Sequence, residues 1–165
     1  MKKAPIPKDE AERLQALKRL GVLDTLNEER FDYITREAVE DLHVPISTIS
    51  IIDEEREWFK SCQGLEKGED KRSISFCGHA LLAQKLFIVE DTLEDLRFLD
   101  NPHVIKEGIR FYAGMALHEM KTNLPVGVFC IKDFKPRKLA PYEVALFLKL
   151  GKQAEKELNK FESSN

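Results

Sequence analysis

Three cysteines and four histidines carry the sharpest chemistry in this chain, and one run brings two of them together: Ser73-Ile74-Ser75-Phe76-Cys77-Gly78-His79. Serine at position 75 is a helix-capping residue type. Amide dipoles at the helix start, joined by a nearby imidazolium, would stabilise a Cys77 thiolate. Such a thiolate is a nucleophile for thiol redox chemistry, with Cys62 or Cys130 as the resolving thiol. A small packed thiol beside a helix cap accounts for the same residues, and we give this reading more weight because cysteine is so often buried. Cys77 and His79 have a spacing found in metal sites, but no second Cys/His pair joins them, so no metal site is expected. His43 and His118 stand alone. The odd cysteine count and the lack of a C-x-x-C pair fit reduced thiols better than a disulfide framework.

A second set of residues has the make-up of a small-molecule pocket. Trp58, Phe59, Phe76, Phe98, Phe111 and Tyr112 are interleaved with Lys60, Ser75, His79, Asp91, Arg97, Asn101 and Arg110. If the connections fold over one face of a sheet, the segments Trp58 to Lys60, Ser75 to His79 and Asp91 to Asn101 bound an apolar pocket with a few polar groups. Core packing explains the aromatics equally well. For the charged residues, a clamp of Asp91 or Asp95 on Arg97 or Arg110 is the better reading. The acidic stretch from Glu90 to Asp100 lacks the glycine and ligand spacing of a calcium loop. Lys132, Lys135, Arg137 and Lys138 around Pro136 read as a solvated turn. No nucleophile elbow, phosphate-binding loop or dinucleotide-binding glycine pattern is present.

Regular elements must hold these residues in place. After Asp9, a candidate N-cap, Ala11, Leu14, Leu17 and Leu20 recur at helical intervals up to Gly21. A second helix is expected from Asn27, with Phe31, Ile34, Ala38 and Leu42 on one face, ending before Pro45. The β-branched run from Ile46 to Asp53 predicts a buried strand, which hairpins through a polar turn into a strand around Trp58 to Cys62. Gly64 to Lys71 reads as a loop, and Ser75 caps a short helix through His79 to Gln84. Leu86 to Val89 is a short strand and Glu90 to Asn101 an irregular connection. Strands follow at Arg110 to His118 and Val126 to Lys132, and Pro141 opens a final helix.

The 165 residues suit one domain, with a flexible arm at residues 1–8, a single domain over 9–162 and a flexible tail at 163–165. A net charge of -3 argues against nucleic-acid binding, and no apolar run approaches a membrane span or a secretory signal, so a cytoplasmic location is expected. On the last helix Val144, Phe147, Leu148, Leu150, Ala154, Leu158 and Phe161 sweep roughly 160°, which Leu146 widens, where a core-facing helix needs ~100°. Together with the similarly wide first helix, this favours a homodimer through the terminal helices.

The ordered blocks resemble a known family. Leu17-Lys18-Arg19-Leu20-Gly21-Val22-Leu23-Asp24-Thr25, Ser50-Ile51-Ile52-Asp53, Trp58-Phe59-Lys60-Ser61, Ser75-Phe76-Cys77-Gly78-His79-Ala80, Arg97-Phe98-Leu99-Asp100-Asn101-Pro102 and Ile109-Arg110-Phe111-Tyr112-Ala113-Gly114 look like GAF domains of bacterial sensor proteins. The resemblance spans about residues 10 to 160. It implies an α/β (α+β) fold of the GAF/PAS-like kind: a central antiparallel sheet of five or six strands, with terminal helices on one face and ligand-pocket loops on the other. It also implies a noncatalytic module that binds a small molecule, dimerises through its terminal helices and takes part in signal transduction with a signalling protein. No haem, bilin or cyclic-nucleotide signature is present, so no cofactor is assigned. The alternatives are a thiol-dependent redox enzyme of the free methionine sulfoxide reductase type, whose later motifs are not matched, or an interaction module without a ligand.

Overall fold

The computed structural model describes residues 1–84 and 86–163. Two helices open the chain, α1 (Glu10–Leu20) and α2 (Glu29–Leu42). Asp9 stands at the N-cap of α1 without a side-chain capping bond, and Gly21 closes the helix in the left-handed conformation. The β-branched run forms β1 (Ile46–Ile52), buried at every position because both faces of the sheet are covered. It hairpins into β2 (Arg56–Gln63).

The segment expected as a loop up to Lys71 contains a third strand, β3 (Glu69–Lys71), paired with Arg56 to Trp58. Three charged residues give no apolar signal, yet charge suits an edge strand because it discourages pairing with a further chain. Ser75 caps α3 (Phe76–Ala80). This helix stops short of Gln84 because the N–H groups of Leu82 and Ala83 bond back to His79 and Ala80, tightening the last turn.

After β4 (Phe87–Val89), the irregular connection holds a 3₁₀ turn at Thr92–Glu94. It leads into α4 (Pro102–Ile105), a short helix capped by Asn101. Strands β5 (Phe111–His118) and β6 (Pro125–Asp133) precede the long α5 (Pro141–Ser163). Helix α5 runs one residue into the segment expected as a tail, and 164–165 lie outside the described residues.

The six strands form one antiparallel sheet in the order β3-β2-β1-β6-β5-β4. Residues directly opposite on neighbouring strands share a face, so the register divides the core in two. Ile49, Ile51, Phe111 and Phe129 pack under α1, α2 and α5. Ile46, Ile52, Tyr112, Val128 and Cys130 pack under α3 and the connection that follows it. Helix α5 contacts α1, α2 and β5. Its broad apolar arc is therefore used largely within the chain, and Leu146, which widens that arc, is partly buried against this core. Among the described residues no helix is long and apolar enough to cross a membrane.

Candidate functional site

A buried polar cluster lies on the sheet face beneath α3. Gly78 N–H donates to Ser75 Oγ at 2.8 Å, fixing the helix start that carries Cys77. Tyr112 reaches back across Gly114 to donate its hydroxyl to Cys77 Sγ at 3.1 Å. A Cβ at position 114 would stand 2.3 Å from that hydroxyl oxygen, so the approach requires glycine. Thr48 lies 2.7 Å from Ser50 and 3.0 Å from Cys130 Sγ, while Cys77 Sγ reaches Ser50 Oγ at 3.8 Å. The chain of contacts joins α3, β5, β1 and β6.

Two charged side chains share this face. Glu57 pairs with Ile52 of β1, and Lys132 pairs with Ile46 of β1 and Tyr112 of β5. They are 1% and 5% exposed. Glu57 Oε2 is buried without a hydrogen-bond partner. Burial works against the Lys132 charge, but Glu57, Cys130, Cys77 and Asp70 together outweigh it and hold the lysine above its ordinary range. Burial pushes the Cys77 thiol well up, helped by Cys130. Burial also opposes the Cys130 thiolate, but Cys77 and the Lys132 charge bring it below the ordinary cysteine value. Tyr112 is raised, by burial first and then by the two thiols. Glu57 is a lesser electrostatic influence on Cys62, Cys77, Tyr112 and Cys130 and the leading favourable one on Lys132.

Several residues expected at a pocket are brought together around this cluster. Phe76 stacks on Tyr112 at 5.1 Å and lies 4.6 Å from Phe98, against whose ring His79 packs edge-on at 4.8 Å. Burial lowers the His79 pKa, and its Nε2 lies 3.2 Å from the Lys2 carbonyl oxygen. Asn101 caps α4 and donates to the Ile74 carbonyl at 2.9 Å. The charged residues do form clamps: Arg97 on Asp95 at 2.6 Å and Arg110 on Asp91 at 3.0 Å. The first residues of the chain lie over α3, with Lys2 N–H bonded to the Arg97 carbonyl, Ala4 N–H to that of Ser73, and Ala4 packed against Gly78.

Other expected residues are elsewhere. Trp58 and Phe111 face the helices, and Phe59 alone of its segment pairs with Ser50 on the site face. Lys60 occupies a bulge between Phe59 and Ser61 and turns to the helix side, where Nζ meets Glu28 at 2.7 Å and Thr25 at 2.8 Å. The bulge breaks the alternation on which a pocket position for Lys60 depends. Conversely, Thr48, Ser50, Glu57 and Lys132 were not singled out as site residues. Lys132 is an interior lysine rather than part of a solvated turn. The usable signal was the polar alternation itself, Thr48 and Ser50 in one buried run, Cys130 and Lys132 in another.

A separate group, Asp70, His103 and Glu107, places ligand-type atoms within 4.8 Å of one another. Lys67 Nζ already bridges its two carboxylates at 2.5 and 3.1 Å, so the group serves as an ion-pair tie between the β3 and α4 regions.

The GAF domain model matches residues 27–158. The chain belongs to the GAF domain family. It is 40% identical over 144 residues to a cyclic di-GMP phosphodiesterase of Pseudomonas aeruginosa, an alignment covering 86% of this chain and 24% of that protein. The chain thus spans about a quarter of this curated relative. Among solved GAF structures, that of a phosphoenolpyruvate-protein phosphotransferase from Coxiella burnetii superposes with a TM-score of 0.69 at 16% identity, covering 93% of this chain and 96% of that one. The free methionine-R-sulfoxide reductase of Neisseria meningitidis superposes with a TM-score of 0.64 at 14% identity, covering 99% and 98%. Likeness at these identities establishes the fold.

Proposed function

We propose that this GAF domain is a noncatalytic sensory module of a signalling protein. It binds a small molecule on the sheet face beneath α3 and passes the bound state to α1 and α5 in a cytoplasmic homodimer. The observation that carries the reading is the Glu57 carboxylate, whose Oε2 is buried without a hydrogen-bond partner. An unmet buried polar group costs about 1–3 kcal/mol, more when charged, and a ligand donor removes that cost. Binding moves the helices only if the ligand prefers one of two helix arrangements. A phosphodiesterase-type output, as named for the relative, would reside in sequence beyond the shared quarter. A thiol reductase is the weaker reading because Cys77 is buried and its thiol is held protonated.

A thermal-shift screen of the wild-type chain against a metabolite collection tests this reading. At least one compound should raise the melting temperature of the wild type and leave Glu57→Gln unmoved. A hit that stabilises both proteins equally would place the ligand elsewhere and contradict the reading.

A further inference from the structure

The backbone N–H of His103 donates to Asn101 Oδ1 at 2.9 Å, and its ring packs against Phe76 with centroids 6.2 Å apart. Nδ1 of that ring lies 2.9 Å from Glu107 Oε2. A carboxylate only accepts, so Nδ1 carries the proton of this bond, and Nε2 of the neutral ring is left with a bare lone pair. Nε2 belongs to a side chain that is 5% exposed and stands 3.4 Å from Asp70 Oδ2. It is buried without a hydrogen-bond partner among the described residues. In the neutral ring, two acceptors therefore face each other. Protonating Nε2 does not repair the contact, because 3.4 Å exceeds the range of about 2.7–3.2 Å for an N–H···O bond. The spacing fits a shared cation instead. A nitrogen about 2.0–2.1 Å and an oxygen about 2.0–2.2 Å from one tetrahedral zinc ion stand about 3.3–3.5 Å apart.

From this we infer that His103 Nε2 and Asp70 Oδ2 are the protein ligands of a divalent transition-metal site, with zinc as its simplest occupant and water completing the shell. Glu107 is a positioning residue that fixes the ring and its tautomer through Nδ1. Asp70 is fixed as well, since its Oδ1 accepts from the Lys71 N–H at 2.9 Å. The Lys67 ammonium, 2.5 Å from Asp70 Oδ2 and 3.1 Å from Glu107 Oε1, neutralises the carboxylates but leaves Nε2 unmet. Its side chain is partly exposed and can swing into solvent as the metal enters. The ion-pair tie is then the metal-free form, and the metal makes the same link between β3 and α4. One imidazole nitrogen beside a carboxylate suits zinc and its first-row neighbours, whereas magnesium and calcium, which take oxygen shells, match poorly. Glu57 takes no part, so this site and the ligand-binding reading stand or fall separately.

Isothermal titration of the full chain with zinc chloride tests the site. Wild type should bind one zinc ion saturably, and magnesium chloride should give no saturable heat. His103→Gln and Asp70→Asn should each weaken zinc binding by about tenfold or more. Lys67→Met should tighten it by about tenfold, because a like charge no longer competes for Asp70. Glu107→Ala should lose about tenfold, while Glu107→Gln, whose amide oxygen still accepts from Nδ1, should stay close to wild type. Imidazole nitrogen NMR of the wild type supplies a reading that no folding defect can remove: zinc should shift the Nε2 resonance of His103. The inference is overturned by no saturable zinc binding, or by a zinc shift at another histidine and none at His103. Folded His103 and Asp70 variants that bind as wild type does would mean an adventitious ion only and overturn it equally. So would a Lys67→Met variant that binds zinc no tighter, or a Glu107→Ala variant that binds as well as Glu107→Gln.

Discussion

Glu10 on α1 pairs with Arg72, the residue that opens the turn into α3, at 2.5 and 3.1 Å, and holds Arg13 on its own helix at 2.7 Å. Arg72 is itself buried and reaches the backbone carbonyls of Asp53 and Glu54. One carboxylate therefore ties the first helix to the cover of the candidate site, and supplies a physical path between them.

Removing that tie should be felt by the whole domain. Glu10→Gln is expected to lower stability by about 1–3 kcal/mol, the range for uncoupling a largely buried arginine from its carboxylate. Urea denaturation followed by circular dichroism measures it. A loss below the error of the extrapolation would mean that Arg72 is satisfied by the two carbonyls alone.

The same carboxylate has a pH signature. Burial raises its pKa, but the hydrogen bonds and charges of Arg72 and Arg13 outweigh burial and bring it from 4.5 to about 2. A folded-state pKa below the unfolded one contributes stability that is complete above the unfolded value and disappears as pH falls through the folded value. The stability gap between wild type and Glu10→Gln should therefore narrow between pH 4.5 and 2. A gap that is constant across this window would contradict the pairing.

Gly114→Ala should destabilise the domain by about 1–3 kcal/mol, because the new methyl overlaps the Tyr112 ring and hydroxyl. Tyr112→Phe should cost less, about 0.5–1.5 kcal/mol for one lost hydrogen bond. Thermal melts of both variants give the order, and a reversed order would refute the close approach of Tyr112 to Gly114.

Much of this architecture is legible in the residues. The β-branched run at Ile46 to Ile52, the Ser75 cap, and the Asp91–Arg110 and Asp95–Arg97 clamps all follow from local rules of conformation and charge. What escapes is whatever depends on a second strand or on which face is covered. The charged edge strand at Glu69 to Lys71 has no apolar pattern of its own, and Lys60 changes face through a bulge defined only by its pairing with β1. Glu57 and Lys132 look like ordinary surface charges in the sequence. Only the register shows that both turn inward on the face closed by α3.

Because Lys60 serves the helix side, Lys60→Met should separate stability from binding. It removes the hydrogen bonds of Lys60 Nζ to Thr25 and the Leu26 carbonyl and its ion pair with Glu28, which keeps Arg30, at a cost of about 1–2 kcal/mol, without touching the site face. Ligand affinity measured below the melting transition should match wild type. A loss of affinity without a loss of stability would restore Lys60 to the pocket.

Incubation with free methionine sulfoxide and dithiothreitol should yield no methionine above the protein-free control. Cys77 is fully buried and its thiol is raised, which leaves no accessible thiolate at the α3 start. Turnover abolished by Cys77→Ser would contradict the noncatalytic account.

The central claim is that the sheet face carrying Glu57 holds a ligand, and native mass spectrometry of the freshly purified chain tests it most directly. The account predicts a population heavier than the bare chain by one small molecule, present in the wild type and absent from a folded Glu57→Gln variant. Only unliganded protein in both samples, even after incubation with a cell metabolite extract, would contradict it.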